Sequence, residues 1–267
     1  MYEKWKGVHT RCAFNMIQEL IPLTRPRTLA ATLGPTILGA AFSYYAFGAA
    51  QGTGLAIFHT MLIFLAVVTA QIVANLWNEY KDFKSGLDAG QKVGNAGSIT
   101  RGVITPELII TMIKVLMFVP IIIGLYLSAT ITWYYIPVGF LCILISFLYS
   151  GGPKPISRTP FGEISSGIAM GFAIVLITGY AWIRELSLAL LIPAIPSTLL
   201  VGSIMLTNNI RDIRNDESHG RHTLPIVLGR ERALSLMSIS YIFNFIWIIA
   251  WIIVCLLYTS PSPRDGL

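Results

Sequence analysis

The feature that most constrains this chain is its series of apolar runs about twenty residues long, enough as helix to cross the hydrocarbon core of a bilayer. They fall near Thr28–Ala50, Leu55–Trp77, Leu108–Leu127, Ile131–Tyr149, Ile164–Ile183, Leu186–Leu206 and Leu234–Leu257. Inside lipid a segment must satisfy its own backbone N–H and C=O groups, so such runs predict helices. Glycine and proline within them, such as Gly34-Pro35, Gly171 and Pro196, are tolerated there because neighbouring helices satisfy the freed groups and small residues permit close approach. Apolar residues make up 54% of the 267 and charged residues only 12%, which excludes a soluble α/β enzyme, a coiled coil and a disordered chain. Cys12, Cys142 and Cys255 are too few and too scattered for a disulfide-stapled domain. The expected class is an all-α, polytopic transmembrane helical bundle with seven spans.

Three parts follow from this count. Residues 1–27 carry Lys4, Lys6, Arg11, Arg25 and Arg27 with no apolar stretch of their own, so they form a basic, interfacial segment and not a cleavable signal peptide. Residues 28–257 are the membrane domain. Residues 258–267 are a polar, proline-rich tail that reads as non-native.

Basic residues set the orientation. The N-terminal five share a side with Lys81, Lys84, Lys92 and Arg101 after the second run, Lys154 and Arg158 after the fourth, and Arg211, Arg214, Arg221, Arg230 and Arg232 after the sixth. The opposite side holds Arg184 and Arg264, and Lys114 lies within the third run. The basic loops are therefore expected to face the cytoplasm. Orientation and attraction to anionic lipid account for the net charge of +6, and no basic stripe with interleaved aromatics suggests nucleic acid.

The acidic residues say more. Of only thirteen, Glu79, Asp82 and Asp88 follow the second run, and Asp212, Asp216 and Glu217 follow the sixth. Asn75, Asn78 or Glu79, and Asp82 are three and four residues apart, so they share a helical face. Gly86 is placed to end that helix and let Asp88 fold back. Asn208 or Asn209, Asp212 and Asp216 repeat the arrangement on the same membrane side. A solvated helix end of mixed charge explains either segment alone, but not both together.

Carboxylate and amide oxygens without cysteine or a zinc-like histidine spacing suit a hard cation, Mg²⁺ above all, which completes its shell with phosphate oxygens and water. His9, His59, His219 and His222 are read as lone surface histidines. Such a cage beside an apolar bundle suits a lipid diphosphate, whose departing charge a metal neutralises.

These segments resemble the two aspartate-rich motifs of the UbiA-type intramembrane prenyltransferases. Arg25-Pro-Arg-Thr-Leu29, Arg101-Gly-Val-Ile-Thr-Pro106, Tyr149-Ser-Gly-Gly-Pro153, Phe161-Gly-Glu163 and Arg221-His-Thr-Leu224 are similar to one branch, the 1,4-dihydroxy-2-naphthoate polyprenyltransferases. The resemblance covers about residues 20–250, and one departure is Glu79 where the family usually has aspartate. It implies that Asn78, Glu79, Asp82, Asp88, Asp212 and Asp216, helped by Asn209, hold Mg²⁺ against a polyprenyl diphosphate. Asn75, Asn208, Arg25, Arg101, Lys154, Arg158 and Arg221 become substrate-binding candidates, with Tyr149 capping the cavity and Glu163 a further candidate. It also implies transfer of the prenyl group to 1,4-dihydroxy-2-naphthoate with loss of CO₂ and diphosphate, towards demethylmenaquinone in menaquinone biosynthesis. The expected place is a bacterial inner membrane, with the site facing the cytoplasm. The family has about nine spans, so the resemblance also implies a chain shortened at its C-terminus. 4-Hydroxybenzoate and homogentisate are the alternative acceptors. A transporter is a different class that also places acidic residues in a bundle, although a transport path should leave polar groups deeper than these helix ends.

Overall fold

A computed structural model describes residues 20–86, 98–100, 102 and 104–259. Asp88 and Arg101 therefore lie outside the described residues, as do most of the N-terminal segment and residues 260–267 of the tail. The described residues are helical, with no strand among them. In chain order the helices are α1 (Ala30–Phe47), α2 (Thr53–Ser85), α3 (Pro106–Thr130), α4 (Tyr135–Ser150), α5 (Gly162–Ile183), α6 (Leu191–Arg211), the short α7 (Ile213–Ser218) and α8 (Leu224–Leu228), and α9 (Arg230–Thr259).

Among the described residues five helices are long and apolar enough to cross a membrane, against the seven expected. The other two expected spans are helices of a different build. Helix α4 has only 16 residues, about 24 Å of rise against a core of about 30 Å, because Thr132–Tyr134 form a turn that an apolar run disguises. Helix α1 has 18 residues diluted by Gly34-Pro35, Ser43, Tyr44 and Tyr45. The protein remains an integral membrane bundle. Phe118, Ile122, Phe140, Phe245 and Ile246 are exposed on its outside, where lipid rather than water is the matching solvent.

Helix α2 is the element that carries the chemistry. Its 33 residues rise about 50 Å, so its last turns extend past a hydrocarbon core and present Asn78 and Asp82 beyond it. It stops where expected: Gly86 sits at φ 72°, in the left-handed region open to glycine, and its N–H closes on the Asp82 and Phe83 carbonyls. Helix α2 packs on α3, α1 on α5, and α5 and α9 on α6. One apolar cluster (Leu23, Val73, Leu76, Ile104, Ile109 and neighbours) holds the carboxyl end of α2, and a second (Ile63, Ile123, Leu127, Tyr135, Ala181) joins α2 to α3 and α5 further along. His59 of α2 is buried, which does not fit the surface place expected of it.

Within α5, Gly167–Phe172 form a π turn. A Cβ on Gly171 would stand 2.6 Å from Thr198 Cα and 2.7 Å from the Ser197 carbonyl oxygen of α6, so no side chain fits between these backbones. Gly171→Ala is therefore expected to force α5 and α6 apart and destabilise the bundle by about 1–3 kcal/mol. Gly54→Ala, where nothing lies within 4 Å, should be nearly silent. Thermal unfolding of both variants in detergent checks the contrast.

Candidate active site

A cavity of about 1130 Å³ opens between α1, α2, α3, α4, α5 and α6. One part of its wall is apolar, with Ile63, Val67, Leu127, Val138, Ile174 and Ile177. The other end is polar and gathers Arg25, Asn75, Asn78, Asp82, Tyr149, Asn208, Asn209, Asp212, Asp216 and Arg221. The two acidic segments thus meet at one mouth, as their matching helical faces predict.

Arg221 joins them. Its Nη2 lies 3.1 Å from Asp82 Oδ1 and its Nη1 3.3 Å from Asp216 Oδ1, so one guanidinium spans both motifs. The planar fork of arginine suits this two-sided grip, which a lysine ammonium could not reproduce. The loop that carries it is fixed by backbone hydrogen bonds, Arg221 N–H to the Asp216 carbonyl at 3.0 Å and His222 N–H to the Arg158 carbonyl at 3.0 Å. Asp216 is buried, and burial pushes its carboxyl above the usual carboxylate range; Arg221 pulls it back, while Asp212 and Asp82 push it up again. A cation entering between these oxygens relieves that repulsion.

The remaining candidates divide. Arg25 lines the cavity from a residue in the left-handed region, φ 50°, unusual for a side chain of its size. Asn75 lines it too, but its Nδ2 donates to the Thr24 carbonyl at 2.9 Å and so ties α2 to the segment before α1. Asp212 is half-exposed and held by its neighbour Arg211 through hydrogen bonds of 2.9 and 2.8 Å. Arg158 acts on Asp82 only through its charge, and Lys154 is exposed; neither lines the cavity.

Glu79 is directed elsewhere than the metal set in which the sequence placed it. It is buried away from the cavity, and its Oε1 accepts the Ser98 backbone N–H at 2.8 Å. By helical spacing Asn78 and Glu79 flank the stripe of Asn75 and Asp82 equally, but in the structure Asn78 lines the cavity and Glu79 does not. Sequence reading also passed over Gln71, one turn before Asn75. It lines the cavity, donates to the Thr28 carbonyl at 2.7 Å and accepts from the Thr32 hydroxyl. A lone glutamine in an apolar run, in step with the Asn-Asp stripe, was the signal available for it.

The donor set fits a hard divalent ion. Asn78 Oδ1 is buried with no hydrogen-bond partner although Asn78 lines the cavity beside Asp82, and every donor offered is oxygen. Among the described residues no three His, Cys, Asp or Glu side chains are grouped to hold a metal by themselves, so an ion here would also need amide, diphosphate or water oxygens.

A membrane bundle with paired acidic motifs at the polar mouth of an apolar cavity defines a class of intramembrane enzyme. The comparisons agree: the UbiA prenyltransferase family matches residues 33–263, and the chain belongs to that family, as an aromatic prenyltransferase. The 1,4-dihydroxy-2-naphthoate octaprenyltransferase of Bacillus subtilis is 38% identical over 90% of this chain and 75% of its own length. The enzyme of the same name from Mycobacterium tuberculosis is 30% identical over 90% of this chain and 82% of its own. A UbiA homologue from Archaeoglobus fulgidus bound to GPP and Mg²⁺ shares the fold, with a TM-score of 0.65 at 17% identity over 92% of this chain and 80% of that one.

Proposed function

We propose that this protein transfers a polyprenyl group from its diphosphate to 1,4-dihydroxy-2-naphthoate, with loss of CO₂ and diphosphate, in a Mg²⁺-dependent reaction at the cytoplasmic face of a bacterial membrane. The observation that carries the reading is the meeting of Asp82 and Asp216 on one guanidinium at the mouth of a largely apolar cavity. The acceptor is taken from the relatives of Bacillus subtilis and Mycobacterium tuberculosis, and Mg²⁺ from the Archaeoglobus fulgidus homologue bound to it.

The chain's own residues divide the work. The apolar wall holds the isoprenoid and keeps water from its C1, while Arg25 and Arg221 are placed to grip diphosphate oxygens. Asp82, Asp216 and Asn78, with Asp212 and Asn209 beside them, are the residues that would hold the ion. Bound there, Mg²⁺ neutralises the charge that gathers on the leaving diphosphate. The C1–O bond breaks with its electron pair going to diphosphate. The ring carbon bearing the acceptor's carboxylate then bonds to C1, and the carboxylate leaves as CO₂, returning its electron pair to the ring. The product is the prenylated dihydroxynaphthalene, so no oxidant is needed and no base has to remove a ring proton. Tyr149 lines the same mouth, where its ring can face a developing cation.

The test is a panel assay on purified protein. Labelled geranylgeranyl diphosphate is supplied with 1,4-dihydroxy-2-naphthoate, 4-hydroxybenzoate or homogentisate, in Mg²⁺ or EDTA. Product should form with dihydroxynaphthoate, one CO₂ released per transfer, and vanish in EDTA. Transfer to 4-hydroxybenzoate or homogentisate alone overturns the acceptor, and full transfer in EDTA overturns the metal.

A further inference from the structure

Glu163 is a buried carboxylate that the reaction above does not use. It stands at the start of α5, only 4% exposed, and does not itself line the cavity. Its Oε1 accepts a hydrogen bond of 2.8 Å from Asn209 Nδ2, and its Oε2 is buried without a hydrogen-bond partner. Asn209 does line the cavity, on the last turn of α6, one turn before Asp212 and two before Asp216. The approach is set by Gly202: a Cβ there would lie 3.3 Å from the Glu163 carbonyl oxygen, and Asn209 follows on the same face of α6 two turns later.

A carboxylate can only accept hydrogen bonds, whereas a primary amide has one donating and one accepting end. Once the Asn209 nitrogen is committed to Glu163, the oxygen is the end of that amide left for the cavity. Donating to an anion also draws charge onto that oxygen and makes it a stronger cation ligand, as outer partners do for metal-binding side chains in general.

We propose that Glu163 is a positioning residue for the cation end of the cavity, fixing the Asn209 amide so that Oδ1 faces the metal and the diphosphate. The inference rests on reading that mouth as a cation and diphosphate site. It assigns Glu163 no contact with substrate.

Glutamine at 163 keeps the shape but can donate as well as accept, so the Asn209 amide loses its fixed sense. The probe is Mn²⁺ alone, its free concentration read by electron paramagnetic resonance during titration of purified full-length protein. Glu163→Gln should raise the Mn²⁺ dissociation constant about tenfold. In transfer assays it should raise the Mg²⁺ concentration for half-maximal rate by a similar factor, with the rate recovering at saturating Mg²⁺. Asn209→Ala should weaken Mn²⁺ binding alike, and Glu163→Gln on top of Asn209→Ala should add nothing, because the two act as one unit. A purely structural role for Glu163 predicts additive losses and no recovery at high Mg²⁺.

Mn²⁺ binding unchanged in Glu163→Gln, or losses that add, overturns the inference. If Glu163→Gln does not yield monodisperse protein, Asn209→Ala decides alone, and unaltered Mn²⁺ affinity there overturns it equally. Failure of the acceptor panel with Glu163-dependent Mn²⁺ binding intact refutes the proposed reaction and leaves the positioning role standing. Normal transfer with Glu163-independent binding does the reverse.

Discussion

Asp82→Ala is expected to lower prenyl transfer by about 10³-fold, on the scale of losing one main electrostatic stabiliser of a transition state. Asp82 lines the polar mouth and reaches Arg221 at 3.1 Å, so the substitution removes a proposed metal ligand and half of the grip on the guanidinium together. Arg221 then rests on Asp216 alone. The conservative Asp82→Asn separates the two roles: it keeps an oxygen that can still accept from Arg221 but loses the negative charge a divalent ion needs. If transfer is lost equally in both variants, charge towards the ion is the function. If Asp82→Asn is nearly as active as wild type, Asp82 serves mainly to place Arg221, and the cation site must be drawn around Asp216 and Asp212. The assay is initial rate with labelled prenyl diphosphate across a Mg²⁺ series, so that weakened ion binding is distinguished from slow chemistry.

The features that sequence alone disclosed are those with a period. The stripe of Asn75, Asn78 and Asp82 is a helical repeat, and its helix ends at Gly86, whose lack of a side chain permits φ 72°. The matching stripe of Asn209, Asp212 and Asp216 survives the break between α6 and α7 because the Asp212 N–H still bonds the Asn208 carbonyl and the Asp216 N–H the Asp212 carbonyl. What has no period stayed hidden. Asn78 and Glu79 are neighbours with equal claims by spacing, and the fold divides them by setting Asn78 on the cavity wall and Glu79 against the Ser98 N–H. Arg221 was a substrate-binding candidate through the resemblance, but nothing in its spacing showed that the loop after α7 sets it between carboxylates from α2 and α7. The turn at Thr132–Tyr134 was invisible because tryptophan and tyrosine count as apolar while sitting comfortably at a membrane surface. The π turn that carries Ala169 and Met170 of the cavity wall leaves no mark in an apolar sequence.

Arg221→Met should separate folding from catalysis at this mouth. Methionine keeps much of the length and removes the charge, leaving Asp82 and Asp216 facing each other without a counter-ion. Arg221 is 15% exposed and Asp216 only 4% by side chain, so water does little to screen the loss. Removing one partner of a buried ion pair costs about 3–5 kcal/mol, and the cost here lies towards the lower end because Asp82 is partly open to the cavity. Unfolding in EDTA should therefore shift to lower temperature by several degrees. On the proposed site Mg²⁺ and the guanidinium compete for the same carboxylate oxygens, so added Mg²⁺ should stabilise the variant more than it stabilises the wild type. Transfer should still fall about 10²-fold at saturating Mg²⁺, since the diphosphate has lost a forked donor that no ion replaces. Equal stabilisation of both proteins by Mg²⁺ would show that arginine and metal occupy different places, and the two aspartate motifs would then have to bind their ion away from the oxygens that Arg221 holds.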